Sequence, residues 1–165
     1  YAEHFRNELI KTMVMKGKID SGGRYLNNIE EENGVSDKFS FISKYCFNLA
    51  LENCQHSGYC TEKIFQSFAA GCIPVYWGDP DIGKWFNKKA FINCNDFYSA
   101  KEVIDCIEDI AENKQKCYEM LMEPLYDKTQ KQMEDYDKEL EQWLMHIFSQ
   151  GKSRWIRNRW SVPSI

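Results

Sequence analysis

Apolar residues at spacings of three and four open the chain. Phe5, Leu9, Ile10 and Met13 share one face of a helix predicted over residues 3–16, and Gly17 closes it. Asp20, Ser21, Gly22 and Gly23 then mark a turn, and the polar run from Asn27 to Asp37 reads as a loop with little core in it. From Lys44 to Glu52, KYCFNLALE alternates aromatic and aliphatic residues over a strand-like length, which predicts a buried strand. Thr61 to Ala70 returns to helical period, with Ile64, Phe65 and Phe68 on one side and Gly71 as its stop. Cys72 to Trp77 is a second short strand. Strand, helix, glycine and strand within about thirty residues make a βαβ unit, and that unit implies a parallel sheet covered by helices.

The pattern then repeats. Ala90-Phe91-Ile92-Asn93 is another apolar run, and Val103, Ile104, Ile107 and Ile110 keep helical period across residues 99–112. Two further helices are predicted over 114–122 and 127–148. The second carries Met133, Tyr136, Leu140, Trp143, Leu144 and Ile147 as a stripe among charges. The fold class is therefore α/β.

A length of 165 residues suits one core, or one lobe of something larger. With 43% apolar and 15% aromatic residues the chain is of the folded, globular kind, and no window approaches the roughly 18 apolar residues of a membrane span. A net charge of −4 argues against a nucleic acid or another polyanion spread over the surface. The charge is uneven, however. Residues 151–165 hold Lys152, Arg154, Arg157 and Arg159 with no acid, interleaved with Trp155, Ile156 and Trp160. Such a segment either settles on anionic lipid or packs on another domain. Seven cysteines, an odd number scattered through apolar stretches, read as free thiols in a reducing compartment rather than as a disulfide framework. The first residues show neither an initiating methionine nor a signal-peptide pattern, so the expectation is a piece of a longer protein.

Candidate chemistry concentrates in Glu52 to Pro80. Cys54, His56 and Cys60 are soft ligands at short spacing, but they lack a fourth partner and the paired rhythm of structural zinc, so no metal site is expected. In an open α/β sheet, ligands bind beyond the carboxyl ends of the strands, where helix N-termini present unpaired N–H groups. The loop from Glu52 to Thr61 sits there. Gly58 allows close approach of a ligand, Tyr59 offers a ring with a hydroxyl, and Lys63 places a cation in a first helical turn, where the helix dipole disfavours it. A bound phosphate would explain Lys63, with Glu62 facing sugar hydroxyls. Equally, Glu62 is at home at a helix N-terminus and Lys63 can be a solvated surface charge. Trp77-Gly78-Asp79-Pro80 and Gly22-Gly23-Arg24 are each explained by a turn as well as by ligand contact. His4, His56 and His146 have no triad-like partners in sequence.

FNLALENCQHSGYCTEKIFQSFAAGCIPVYWGDP, followed by FNKKAFINCNDF, resembles the donor-binding half of the α-1,3/1,4-fucosyltransferases of glycosyltransferase family 10, particularly the bacterial type. The likeness covers most of residues 1–125. It implies the C-terminal, Rossmann-like half of a GT-B fold, with residues 1–125 binding GDP-fucose, a helix over 126–150 packing on or beside it, and a basic aromatic tail over 151–165. It implies an inverting transfer of L-fucose from GDP-β-L-fucose to an N-acetylglucosamine- or glucose-containing glycan. Lys63 and Arg6 would contact the pyrophosphate, Glu62 the fucose, and Tyr59 and Asn53 the nucleotide; Glu62, Lys63 and Arg6 form the catalytic set. No tightly bound cofactor or metal is implied, so cationic side chains and helix N-termini would stabilise the departing GDP. The general base and the acceptor-binding domain that the resemblance implies match no segment of this sequence, so the chain alone is expected to bind donor and transfer little. The alternative is a nucleotide-sugar-binding module of another GT-B enzyme, or a non-catalytic scaffold. The bacterial likeness and the unpaired cysteines lead us to expect a cytoplasmic protein, peripheral to the inner face of the membrane through residues 151–165.

Overall fold

The computed structural model describes residues 2–23, 25–29, 34–126 and 133–149. The chain divides into two compact units, Tyr1–Gln130 and Lys131–Ile165. In the first, a parallel sheet of three strands runs in the order β1 (Phe47–Leu51), β2 (Ile73–Trp77), β3 (Ile92–Asn93). Phe47 lies opposite Ile73 and Leu51 opposite Trp77, while Val75 lies opposite Ile92.

Alternation along β2 decides what covers each face. Ile73, Val75 and Trp77 point to one side, where they pack with Leu9 and Met13 of α1 (Ala2–Met15) and with Val103, Ile104 and Ile107 of α4 (Ala100–Glu112). Tyr76 points to the other side, where Ala50, Ile64 of α3 (Glu62–Ala69), Ile82, Phe86 and Phe91 complete a second core. The layers are thus helix, sheet, helix.

The predicted stops hold. Gly17, at φ 62°, ends α1 with its N–H on the Val14 carbonyl (2.9 Å) and the Lys18 N–H on Met13 (3.0 Å). Gly71, at φ 74°, ends α3 in the same way through Phe68 and Ser67 (both 3.0 Å). This double bond pattern satisfies the last carbonyls, and glycine adopts the left-handed conformation without steric cost. Downstream, Ser99 caps α4 and Asn113 caps α5 (Lys114–Met122).

Two features differ from the sequence reading. The strand predicted from Lys44 to Glu52 pairs only over Phe47–Leu51, and a short helix, α2 (Lys38–Ile42), occupies the approach to it. Five residues are too few for a readable period, and Asp37, which caps α2 by accepting the Ser40 N–H at 3.1 Å, resembles any loop aspartate. The connection from β2 to β3 holds only a 3-10 turn at Ile82–Lys84. In the second unit the described part is α6 (Met133–Ser149), which carries Leu140, Trp143, Leu144 and Ile147 of the predicted stripe. Arg24 and the tail 151–165 lie outside the described residues.

Candidate functional site

The loop from Glu52 to Thr61 leaves the carboxyl end of β1 and delivers the chain to α3. Three bonds fix it against the sheet ends. Glu52 N–H continues the ladder to the Trp77 carbonyl (2.8 Å), Ser57 Oγ donates to Asp81 after β2 (2.7 Å), and Gln55 Nε2 donates to Asn95 after β3 (2.7 Å).

Glu52 is the centre of this arrangement. It lies two residues after Ala50 and so faces the α3 side of the sheet, fully buried. Its Oε1 accepts the Thr61 N–H (2.7 Å), and its Oε2 accepts Lys63 Nζ (2.8 Å). Thr61 Oγ1 lies 2.9 and 2.8 Å from the two carboxylate oxygens and also accepts from Lys63 Nζ (2.8 Å). Thr61 occupies the N-cap position of α3 but makes no side-chain cap bond, because its hydroxyl is committed to Glu52. The first-turn N–H groups of α3 therefore have no side-chain cap from Thr61, which is the condition for anion binding at a helix start.

Space for Glu52 depends on Gly78. A Cβ at that position would lie 2.5 Å from Glu52 Cγ and 2.8 Å from the Tyr76 hydroxyl. That hydroxyl in turn accepts the Asp79 N–H (3.0 Å) and lies 3.4 Å from the Tyr59 carbonyl. Asp79 is fully buried; its Oδ1 accepts the Asp81 N–H (2.8 Å), and its Oδ2 has no hydrogen-bond partner. Gly78 and Asp79 thus shape the floor beneath the loop, a role beyond closing a turn.

Of the five residues singled out from the sequence, four fall into two pairs and Tyr59 stands apart. Arg6, on α1, donates from Nη1 to Asn53 Oδ1 at 3.4 Å, while its Nε is buried without a partner. Glu62 and Lys63 are neighbours at the start of α3, 3.9 Å apart across their charged ends. Glu62 is exposed, and its own backbone N–H, followed by the Lys63 charge, holds its carboxyl below the ordinary value. Tyr59 is half-buried, and its backbone N–H bonds the His56 carbonyl (3.0 Å). The sequence reading leaves Lys63 either facing a bound phosphate or solvated at the surface; the structure gives it a partner from within, the Glu52 carboxylate. Glu52 and Thr61 have no role in that reading, and Asp79 figures in it only as part of a turn or a ligand contact. The one available signal was period: an acid two positions beyond a buried alanine, at the end of a strand, must point where Ala50 points.

A cavity of about 570 Å³ opens along the β1 edge, within the range of small-molecule sites. Arg6, Gly22, Gly23, Lys38, Asn48 and Leu51 are among its walls. Of the five predicted residues only Arg6 lines it; Asn53, Tyr59, Glu62 and Lys63 stand outside. Gly22 is required there, since a Cβ would meet Val35 at 2.4 Å. Cys54, His56 and Cys60 belong to no cluster of three potential metal ligands among the described residues.

Residues 1–149 match the C-terminal region of glycosyltransferase family 10 (fucosyltransferase). An α-(1,3)-fucosyltransferase of Helicobacter pylori is 42% identical over 118 residues, 72% of this chain and 24% of its own length. An α-(1,3)-fucosyltransferase of Drosophila melanogaster is 31% identical over 120 residues, 66% of this chain and 27% of its own. The chain thus spans about a quarter of these curated relatives. A crystal structure of an α1,3-fucosyltransferase with GDP-fucose superposes with a TM-score of 0.70 at 36% identity, over 74% of this chain and 36% of that one. A second crystal structure, with GDP, superposes equally well. The sheet, the loop at its carboxyl edge and this sequence match place the chain in glycosyltransferase family 10, the fucosyltransferases, whose GT-B fold it shares in part.

Proposed function

We propose that this chain is the donor-binding part of an inverting α-1,3-fucosyltransferase and that it takes GDP-fucose at the carboxyl ends of β1 and β2. The observation that carries the reading is the convergence there of Arg6, Asn53 and the start of α3, in a chain similar to a fucosyltransferase crystallised with GDP-fucose. Arg6 has donor capacity to spare. Its 3.4 Å bond to Asn53 is long, and its buried Nε is unmet, so a phosphate oxygen would complete the guanidinium's bonding. Lys63, held at a fixed place by Glu52, adds a point charge, and the α3 N-terminus adds backbone dipoles.

These groups suit a transfer in which charge builds on the leaving diphosphate as the C1–O bond lengthens. Fixed cations and N–H donors stabilise that charge without reorganising. The fucose ring gains oxocarbenium character at the same time, and the exposed carboxylate of Glu62 is the group positioned to face it. The acceptor hydroxyl attacks the opposite face and gives up its proton to a base that this reading assigns to the acceptor-binding part of the protein. The acceptor in this reading is an N-acetylglucosamine- or glucose-containing glycan.

Calorimetric titration of GDP-fucose, GDP and UDP-glucose tests the proposal. Guanine nucleotides should bind and UDP-glucose should not, with Arg6→Ala and Lys63→Ala each weakening binding about tenfold or more, the loss of one charge-assisted bond. Equal binding of uracil and guanine nucleotides would instead indicate a module for another nucleotide sugar. A second reading has its own observation: the 2.8 Å contact to buried Glu52 is what a purely structural lysine would make. It predicts that Lys63→Ala lowers stability while leaving the affinity of the folded fraction unchanged.

A further inference from the structure

Cys46 and Cys117 stand 71 positions apart in sequence, yet their sulfurs lie 2.9 Å from one another. Each is held by backbone bonds. The Cys46 carbonyl accepts the Ile73 N–H (2.8 Å) at the mouth of β1, and the Cys117 N–H bonds the Asn113 carbonyl (3.0 Å) in the first turn of α5. Reagents can reach the pair, because Cys46 is exposed and Cys117 half-buried. The remaining cysteines are placed differently. Cys72 is buried with its thiol directed at the Ile42 and Tyr45 carbonyls (3.1 and 3.0 Å), and Cys94 is buried in the core.

We propose that Cys46 and Cys117 are a disulfide-forming pair, a redox-dependent clasp on the segment that carries the whole sheet. The oxidant is a small-molecule disulfide. One protein thiolate attacks it, forming a mixed disulfide and releasing one small thiolate. The second protein sulfur, once deprotonated, then attacks the protein-bound sulfur and releases the other. Two protein thiols lose two electrons and two protons, the reagent gains them as two thiols, and excess reductant reverses both steps. Partial desolvation of its sulfur, and then the Cys117 contact, push the Cys46 thiol up to about 12, so it ionises little at neutral pH. Cys46 is thus a poor attacking thiol at neutral pH.

The effect of the clasp follows from what it encloses. Residues 46–117 contain β1, α3, β2, β3 and α4, and the free partner, α5, has no fully buried residue of its own. A bond at this point closes a long loop and anchors the weakest-packed helix of the segment.

The test uses the folded full chain incubated with oxidised glutathione, followed by blocking of remaining thiols, proteolysis and mass spectrometry, with a thermal melt alongside. A Cys46–Cys117 cross-linked peptide two hydrogens lighter than its parts is expected. It should come with a rise in Tm of roughly 5–10 °C that dithiothreitol removes. Cys46→Ser and Cys117→Ser should each abolish the cross-link and the rise. Single glutathione adducts without the cross-link, a Cys46–Cys72 bond, or a cross-linked chain that melts no higher than the reduced one would overturn the proposal. Peptide mapping of the unsubstituted chain decides the matter even if a serine variant fails to fold.

Discussion

Glu52 and Lys63 form a pair whose two members are not equivalent. Lys63 retains 22% of its side-chain exposure and Glu52 retains none. If Glu52→Gln removes the negative charge, the ammonium can turn to water and the amide oxygen still accepts the Thr61 N–H; the expected cost is about 1 kcal/mol. Lys63→Met instead leaves a carboxylate buried with only Thr61 for company, and should cost about 3 kcal/mol. Urea denaturation of the two variants checks the order, and equal costs would mean that water reaches Glu52. Tyr45 gives a residue-scale prediction of another kind. Its hydroxyl donates to Asp20 at 2.7 Å, and that bond, with burial second, pushes the phenol up to about 12. A raised folded value means a contribution fully present below the unfolded tyrosine pKa, about 10, and lost as pH rises through about 12. Burial holds the Tyr76 phenol higher still, so spectrophotometric titration of the chain and of Tyr45→Phe should differ by one tyrosine that ionises near pH 12.

Elements here are stopped and started by particular atoms, and α3 shows both ends. At its C-terminus Gly71 has φ 74° and no atom within 4 Å of a built Cβ, so Gly71→Ala meets no clash and isolates the backbone cost of the left-handed conformation. About 1 kcal/mol is expected from urea melts. At its N-terminus the usual threonine cap is given up to Glu52. The end of α3 was legible from Gly71 after an apolar period; the start was legible as a position but not as a bonding pattern. A side chain in the capping position looks the same in sequence whether it bonds its own helix or a carboxylate nine residues earlier. For the same reason the sequence does not mark α2, and it does not pair Lys63 with Glu52.

Across the molecule, α1 and α4 cover one face of the sheet and α3 the other, so that β1 and β2 deliver their carboxyl ends and the α3 N-terminus to one edge. A ligand held there by several elements links them, and its binding free energy adds to the stability of the whole unit. GDP at one hundred times its dissociation constant should stabilise by about 2.7 kcal/mol, a rise in Tm of several degrees, whereas UDP at the same concentration should leave the melt unchanged. The sequence by itself determined the order of strands and helices, their glycine stops and the loop that bears Asn53, Tyr59, Glu62 and Lys63, because periodicity and turn chemistry are local properties of the chain. Its long motif also carried the resemblance to the fucosyltransferases. Tertiary structure alone decided that Glu52 pairs with Lys63 and fixes its place, that Gly78 makes room for Glu52, that Arg6 reaches Asn53 across 47 positions, and that Cys46 meets Cys117. Each of these rests on where two distant backbones come to lie, and that is fixed by packing the two cores against the sheet rather than by any neighbourhood along the chain.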